Sequence, residues 1–267
     1  MRSNGHDLPV QLLFGVPIAA VQPQQVIDLV ARRIASRERL HIGVVNAAKV
    51  VNMQRDHLLR QDVMASDIIL ADGMSVVWAS HLLRRPLPGR VTGIDLMFDM
   101  LRLADARGFK VYCLGATPQV LATVMATIRR NYPNAKLAGG RDGYFTEADS
   151  PAVLQEIADA APDILFVAMT SPKKEKFLAL AGDALKVPVL HGVGGSFDVM
   201  AGKVERAPVA WQRLGLEWLY RVKQEPRRLW RRYLVTNSLF CVLVLCECTR
   251  RLLGARAPSA ARSTLDR

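Results

Sequence analysis

The stretch from Val187 to Arg232, VPVLHGVGGSFDVMAGKVERAPVAWQRLGLEWLYRVKQEPRRLWRR, decides the fold. Its apolar start, Val187–Leu190, is short enough to be a fully buried strand. The glycines that follow, from Gly192 to Gly195, allow a sharp turn and a close approach of the backbone to a ligand. A helical pattern rich in arginine comes next. The stretch therefore predicts a strand end that binds a small anion, followed by a surface that contacts a negatively charged partner.

Upstream of this stretch, short apolar runs typical of buried strands alternate with single predicted helices. Strands separated by single helices imply parallel βαβ units. We therefore predict an α/β fold, with a Rossmann-like, mostly parallel sheet flanked by helices. Ligands of such sheets bind beyond the carboxyl ends of the strands. The residues predicted at those ends are Asp72, Gly115, Thr170, Ser171 and Gly192 to Gly195.

The positive charge of the chain is concentrated in its C-terminal part. The formal net charge is +12, and the residues from Lys203 onward hold 14 Lys and Arg against 5 Asp and Glu. This asymmetry predicts a basic segment that is separate from the main domain. We predict a core over residues 1–202, a basic, aromatic-rich helical appendage over residues 203–253, and a disordered tail over residues 254–267.

The predicted appendage combines arginines with Trp and Tyr and with the apolar segment Tyr233–Cys246. This combination suits the interface of a membrane with anionic lipids. Nucleic acid is the competing partner, but it gives no reason for the apolar segment. With 14 residues, that segment is too short to span a bilayer, so we expect it to lie in the interface. An amphipathic helix docked on the core is the alternative to a membrane-binding segment. The spacing of seven and three residues between Arg221, Arg228 and Arg231 predicts that they share one helix face.

Several function classes lack their sequence signatures. The chain has neither G-x-G-x-x-G nor G-x-x-x-x-G-K-[ST], so an NAD fingerprint and a P-loop are unsupported. The four cysteines have neither disulfide nor zinc spacing, and no D-x-D pair could hold a divalent ion against a nucleotide diphosphate. The leading residues are polar and are not typical of a secretory signal. We expect no metal, no cofactor and a cytoplasmic location.

Three side chains have both a functional and a structural interpretation. Asp72 follows a buried strand, where it is either a general base or the cap of the helix that begins at Met74. Tyr144 follows a glycine turn and is either a platform for a planar base or packing at the edge of the core. Asp198 either binds a sugar hydroxyl or caps a turn.

Taken together and in order, these motifs resemble those of the WecG/TagA/CpsF family of glycosyltransferases. The resemblance covers residues from about 10 to 240. It is carried by Asn46, Ala71-Asp72-Gly73, Arg90, Gly93-x-Asp95-Leu96, Leu114-Gly115, Gly143-Tyr144-Phe145, Pro172-Lys173-x-Glu175, Gly192 to Asp198, Arg206-Ala207-Pro208, Gly215 to Arg221 and Glu225-Pro226.

The resemblance implies an inverting, metal-independent transfer of a sugar from a UDP-sugar to a polyprenyl-diphosphate-linked sugar. The location would be peripheral, on the cytoplasmic face of the membrane, with the UDP-sugar site in the core; a homo-oligomer is an open alternative. The implied catalytic residues are Asp72, as general base, and Arg90. The implied substrate-binding residues are Asn46, Tyr144 on uracil, Lys174, Gly194 and Gly195 at the diphosphate, Asp198 at the nucleoside, and Arg221, Arg228 and Arg231 at a diphosphate.

Two residues depart from the pattern of many family members. Val44 stands where Thr is frequent, and Lys174 stands where Gln is frequent. A lysine at position 174 could pair with a diphosphate or with a sugar carboxylate. These departures favour an exopolysaccharide enzyme, such as a glucosyltransferase, over an N-acetylmannosaminyl or N-acetylmannosaminuronic acid transferase of the same family.

Two other functions compete with this interpretation. The departures at Val44 and Lys174 also fit a non-catalytic nucleotide-sugar-binding protein at the membrane surface. The α/β pattern alone fits a nucleotide-dependent oxidoreductase, although the missing glycine fingerprint argues against it.

Overall fold

The computed structural model describes residues 8–253. The predicted tail, residues 254–267, lies outside the described residues. The order of elements is β1 (Val10–Leu13), β2 (Val16–Ala19), α1 (Pro23–Ser36), β3 (Leu40–Val45), α2 (Ala47–Met53), α3 (His57–Met64), β4 (Ile68–Ala71), α4 (Met74–Leu82), α5 (Gly93–Arg107), β5 (Lys110–Gly115), α6 (Pro118–Asn131), β6 (Lys136–Arg141), α7 (Ser150–Ala160), β7 (Ile164–Ala168), α8 (Lys173–Ala184), β8 (Val189–Gly192), α9 (Ser196–Met200), α10 (Val209–Arg213), α11 (Glu217–Gln224) and α12 (Pro226–Leu252).

Six strands form one parallel sheet in the order β4-β3-β8-β7-β5-β6. This confirms the predicted α/β class. The central strands β7 and β8 are buried throughout, which explains why apolar and polar residues do not alternate along them; His191 of β8 is their one polar side chain. Because all six strands point the same way, the loops after β3, β4, β7 and β8 meet at one edge of the sheet.

Alternate residues of the strands enter different cores. Phe166 of β7 packs in the layer that contains α1, α5 and α6, while its neighbours Leu165 and Val167 pack against α7 and α8. Helices therefore cover both faces of the sheet, as expected for strands that are connected by single helices.

The N-terminal hairpin β1–β2 packs at one end of the molecule against the C-terminal helix. Its turn residues Phe14 and Gly15 both have positive φ, as a two-residue type I′ turn requires. The ring of Phe14 lies 5.3 Å from the ring of Phe240 in α12. The first and the last elements therefore belong to one hydrophobic cluster, together with α2, α3 and α4.

Two helical segments of the chain are divided. Residues 47–60 form two helices, α2 and α3, because Asp56 caps a new start by accepting the Leu59 N–H at 2.9 Å. The basic segment is also divided. Helix α11 ends at Gln224 and α12 begins at Pro226, because a residue before proline is excluded from the helical region.

The C-terminal helix is longer than the apolar segment predicted. Helix α12 has 27 residues. Within its stretch Pro226–Arg251, the most apolar 18-residue window has a mean hydropathy of 1.3 and is 22% buried. By length and composition it is the one helix within residues 8–253 that could cross a membrane. The predicted apolar segment is therefore the middle of a longer helix, and its position in the membrane interface stays a prediction.

Candidate active site

A cavity of about 600 Å³ lies between the carboxyl edge of the sheet and the appendage. We call it the Asp72 cavity. The core contributes the starts of α2 and α4, the face of α4 and the segment before α5. The appendage contributes residues before α10, in α11 and along α12. The polar side chains of its lining are Asn46, Asp72, Ser75, Arg90, Thr92, Glu205, Arg206, Glu217, Arg221, Arg232, Tyr233 and Asn237.

Asp72 lies directly after β4 and opens onto this cavity. Its Oδ1 accepts the Gly93 N–H at 2.9 Å, at the start of α5. Asp72 thus binds the first N–H of α5, whose cap residue is Thr92, and does not cap the helix at Met74, where the cap residue is Gly73. Because a carboxylate has two oxygens, this bond leaves Oδ2 to accept a proton or a hydrogen bond from a substrate. The expected cap of the helix at Met74 is therefore wrong, and the general-base role stays a prediction.

His191 of β8 forms a hydrogen bond to the same first residue of α5. Its Nε2–H donates to the Gly93 carbonyl at 3.1 Å, and the ring is fully buried. Burial lowers the pKa of His191 to about 4, so the ring is neutral at physiological pH. A neutral imidazole fixes the backbone beside Asp72 without adding a charge to the site.

Two ion pairs join the core to the appendage around Asp72. Arg90 of the core contacts Glu217 of α11 at 2.6 Å, and Arg206 of the appendage contacts Asp95 of α5 at 2.6 Å. We call them the cross-pairs. Arg206 also lies 3.8 Å from Glu217, which connects the two pairs. Each body thus supplies one arginine and one carboxylate, and the pairing holds the appendage over the cavity.

The electrostatics at Asp95 agree with this arrangement. Burial opposes ionisation of Asp95, but hydrogen bonds from Arg206 and Thr92 outweigh it and lower the pKa of the carboxyl below its usual value. Asp95 is therefore ionised at neutral pH and is not a proton donor for the reaction. Asp95 and Glu217 pair with arginines and Glu205 accepts the Tyr220 hydroxyl, whereas the partner of Asp72 is a backbone amide.

The three predicted arginines do not share one helix face. Arg221 lies on α11 and lines the Asp72 cavity. Arg228 and Arg231 lie on α12, where Arg228 pairs with Glu225 at 2.9 Å and Arg231 lies over the Trp230 ring. The prediction of one face is wrong because the chain breaks at Pro226. Arg232, which the sequence analysis gave no role, lines the cavity instead.

Asn46 follows β3 and is brought to the same cavity. Its Oδ1 accepts the Lys49 N–H at 3.0 Å and so caps α2. Asn46, Asp72, Arg90 and Arg221 are thus the four predicted site residues that the structure places together.

Lys174 lies in a second, buried group behind the cavity. Lys49 contacts Glu175 at 2.8 Å, and Lys174 contacts the same carboxylate at 3.5 Å. Burial beside Lys49 lowers the pKa of Lys174 to about 8, although Glu175 and Asp72 attract its proton. Burial opposes ionisation of Glu175 as well, but the two lysines outweigh it and hold its pKa at about 2. The group carries a net positive charge, which an anion would stabilise.

The Gly194 loop, Val193–Ser196, lies against this lysine. A Cβ placed on Gly194 would be 3.6 Å from the Lys174 Nζ, and Gly194 has a φ of 53°. Gly195 is exposed. Asp198 follows in α9, where it pairs with Lys203 at 3.5 Å. Its neighbour Val199 lines the Asp72 cavity, whereas Asp198 does not.

Tyr144 lies in the loop after β6, and its side chain is 77% exposed. Lys173 fixes this loop by donating to the carbonyls of Gly143 at 3.1 Å and Phe145 at 2.7 Å. Phe145 packs on Phe177, so it belongs to the core. Tyr144 is therefore presented to solvent at the sheet edge, outside the Asp72 cavity.

Sequence reasoning gave no role to the carboxylate partners. Glu217 and Asp95 meet arginines that are 127 and 111 positions away in the chain, so no local pattern could pair them. Within residues 8–253, no cluster of three or more His, Cys, Asp or Glu side chains is arranged to hold a metal ion.

Comparisons with known proteins show the family of the chain. The model of the glycosyl transferase WecG/TagA/CpsF family matches residues 10–253. One curated relative is an N-acetylglucosaminyldiphosphoundecaprenol N-acetyl-beta-D-mannosaminyltransferase of Bacillus spizizenii, which is 39% identical over 170 residues. That match covers 64% of this chain and 65% of the relative. Since the family model covers nearly all described residues, the chain belongs to the WecG/TagA/CpsF family of glycosyl transferases.

Proposed function

We propose that this protein transfers a sugar from a UDP-sugar to a polyprenyl-diphosphate-linked sugar, with inversion at the anomeric carbon. The observation that carries the proposal is the Asp72 cavity. It places one carboxylate with a free oxygen among arginines from both the core and the appendage. Family membership and the curated relative support the same reaction class.

In the proposed step, Asp72 takes the proton from the acceptor hydroxyl. The acceptor oxygen then forms a bond to the anomeric carbon as the bond from that carbon to the UDP oxygen breaks. The electron pair leaves with UDP, which gains negative charge. A single displacement from the opposite face inverts the configuration, and general-base assistance contributes about 10²–10⁴-fold to the rate of such steps.

We propose that positively charged side chains bind the anionic groups of both substrates. Lys174 lies beside the Gly194 loop, which we propose to be the diphosphate site of the donor. Tyr144, Gly195 and Asp198 belong to the same proposed donor site, with Tyr144 on the base. Arg221 and Arg232 line the cavity on the appendage side, where they suit the diphosphate of the acceptor. Arg228 and Arg231 lie further out and are proposed to meet anionic headgroups.

For the donor sugar, the curated relative favours N-acetylmannosamine over glucose. The glucosyl interpretation depended on Val44 and Lys174. Val44 packs on the core and does not line the Asp72 cavity, so its identity is weak support for another sugar. We therefore propose N-acetylmannosaminyl transfer as the first activity to test.

The location follows from the appendage. Exposed Trp230 and the cluster of arginines suit the face of a membrane with anionic lipids. We propose a peripheral position on the cytoplasmic face, with spanning by α12 as the alternative that its length allows.

The experiment is an assay of UDP release from a panel of UDP-sugars with a synthetic lipid-diphosphate N-acetylglucosamine. We expect turnover with UDP-N-acetylmannosamine, dependent on the lipid acceptor. Turnover with UDP-glucose alone would restore the glucosyl interpretation. Binding of UDP without turnover of any donor would favour the non-catalytic binding protein. The oxidoreductase hypothesis receives no support from the family, and a titration with NAD tests it directly.

A further inference from the structure

The lining of the Asp72 cavity changes in character from one end of α12 to the other. On α12 its lining residues fall on one helix face, at Arg232, Tyr233, Asn237, Phe240, Cys241, Val244 and Leu245. From Arg232 to Leu245 this face extends about 20 Å at 1.5 Å per residue. The first three side chains of this face can form hydrogen bonds, and the last residues are apolar apart from one thiol.

Helix α4 shows the same change on the opposite wall. Its lining residues begin at Met74 and Ser75, next to Asp72, and continue to Trp78, Ala79 and Leu82. These positions are one and two turns apart and share one face. Two helix faces thus form a channel that is charged at one end and apolar at the other.

The apolar end is open. Trp78, Leu82 and Leu245 line the cavity, yet they are 52%, 62% and 62% exposed. These three side chains therefore lie at a mouth of the cavity; Arg221 and Arg232 are exposed as well, so the charged end is also open to solvent. Exposed apolar groups around a mouth are typical of a site that receives an apolar ligand or faces a membrane.

We propose that the first isoprene units of the acceptor lie between α4 and α12 and leave the cavity past Leu82 and Leu245 into the bilayer. The inference rests on the proposed function and specifies how the acceptor enters. The order of groups in a prenyl diphosphate, an anion followed directly by a branched hydrocarbon chain, matches the order of side chains from Arg221 and Arg232 to Val244 and Leu245. A cavity of about 600 Å³ holds only a drug-sized part of a ligand, so the rest of the chain passes out through the mouth.

Native cysteines provide matched reporters for this proposal. Cys241 and Cys246 are both exposed on α12, but only Cys241 lines the cavity. Cys113 is fully buried, and burial raises the pKa of its thiol to about 12, so it does not react at neutral pH. The variants C246S/C248S and C241S/C248S therefore each keep one reactive thiol on the same helix.

The experiment measures the rate of alkylation of each thiol by N-ethylmaleimide in detergent micelles. Farnesyl diphosphate is the probe, and inorganic diphosphate, farnesol and a short-chain phosphatidylglycerol are the comparisons. At ten times its Kd, farnesyl diphosphate should slow alkylation of Cys241 about tenfold and leave Cys246 unchanged. Inorganic diphosphate should protect Cys241 little, because it occupies only the charged end.

Equal protection of both thiols would overturn the proposal, as would protection of Cys241 by phosphatidylglycerol as strong as that by farnesyl diphosphate. No protection by farnesyl diphosphate at concentrations that inhibit transfer would also overturn it, while the transferase function would stand. Protection of Cys241 in a protein that turns over no UDP-sugar would support the channel and contradict the proposed function.

A second experiment changes a side chain at the mouth and measures KM for the acceptor. Leu82→Asn should raise KM for a long-chain acceptor and leave UDP affinity unchanged, because it places a polar group where the chain leaves. Leu180→Asn is the control, since Leu180 is exposed on α8 and does not line the cavity. Equal KM values for the two variants would contradict the assignment of the mouth.

Discussion

At the scale of single residues, the positively charged side chains of the site differ in their exposure to solvent. Lys174 is buried beside Lys49 and Glu175, whereas Arg221 and Arg232 are exposed at the cavity wall. A buried charge responds strongly to the arrival of an anion, because little solvent screens it. Lys174 is therefore the group whose protonation is most sensitive to what binds at the Gly194 loop.

Lys174 should make stability depend on pH in the alkaline range. Its pKa is about 8 in the folded protein and 10.5 in the unfolded chain, so between these values the unfolded state binds more protons. The free energy of unfolding contributed by this group therefore rises as pH increases through that window. We expect the wild type to gain stability relative to Lys174→Gln between pH 7 and pH 9.5 in urea unfolding. A difference that stays constant with pH would contradict the buried charge.

Two buried histidines should act at acidic pH. Burial lowers the pKa of both His41 and His191 to about 4, against 6.5 in the unfolded chain. The unfolded state then binds more protons between these values, so stability falls as pH decreases from 6.5 to 4. Each histidine contributes about 1.4 kcal/mol per pH unit in this range. His191→Gln should show a shallower loss between pH 7 and pH 5 in urea unfolding, and an unchanged slope would refute the burial argument.

At the scale of elements, the appendage reaches α4 through a glycine. Gly215 has a φ of 66°, and a Cβ there would lie 2.7 Å from the Met74 Cβ and 2.8 Å from the Trp78 ring. Gly202 has a φ of 73° with nothing within 4 Å of its virtual Cβ. An alanine would therefore meet similar backbone strain at the two positions but different steric surroundings.

This difference gives a matched pair of variants. Alanine at either position should cost about 1–2 kcal/mol of stability through its left-handed backbone. Gly215→Ala should in addition displace α11 from α4 and reduce the transfer rate well below that of Gly202→Ala. Transfer rates are compared at saturating UDP-sugar. Equal rates for the two variants would show that contact between the appendage and α4 does not matter for activity.

The elements also show what the sequence could predict. The parallel sheet and the residues at its carboxyl edge followed from short apolar runs that end in Asp or Gly, because these signals are local. The cross-pairs could not be predicted, since Arg90 and Glu217 become neighbours only when the appendage docks. The break between α11 and α12 had a local signal at Pro226, which the seven-residue arginine spacing obscured.

At the scale of the whole molecule, positive charge and exposed apolar surface both lie on the C-terminal appendage. Arg231 lies next to Trp230, and exposed Leu234, Val235 and Val242 continue along α12. Such a surface suits the membrane binding that we propose, through both anionic lipids and hydrophobic insertion. The domain boundary at residues 202 and 203 remains a prediction, because the cross-pairs and the Phe14–Phe240 contact bind the appendage closely to the core.

Vesicle flotation distinguishes a peripheral from a spanning α12. We expect binding that requires anionic lipid and weakens between about 0.1 M and 1 M salt, because the Debye length falls from about 10 Å to 3 Å. Removing residues from Lys223 onward should abolish binding. Retention of the full-length protein on vesicles at high salt and at alkaline pH would instead indicate that α12 spans the bilayer.

The central claim, that Asp72 deprotonates the acceptor, is tested most directly by the transfer rate of Asp72→Asn. An asparagine Oδ1 can still accept the Gly93 N–H, so the start of α5 should remain intact. The account predicts a rate about 10²–10⁴-fold lower, with UDP affinity equal to that of the wild type. A transfer rate near that of the wild type would contradict it.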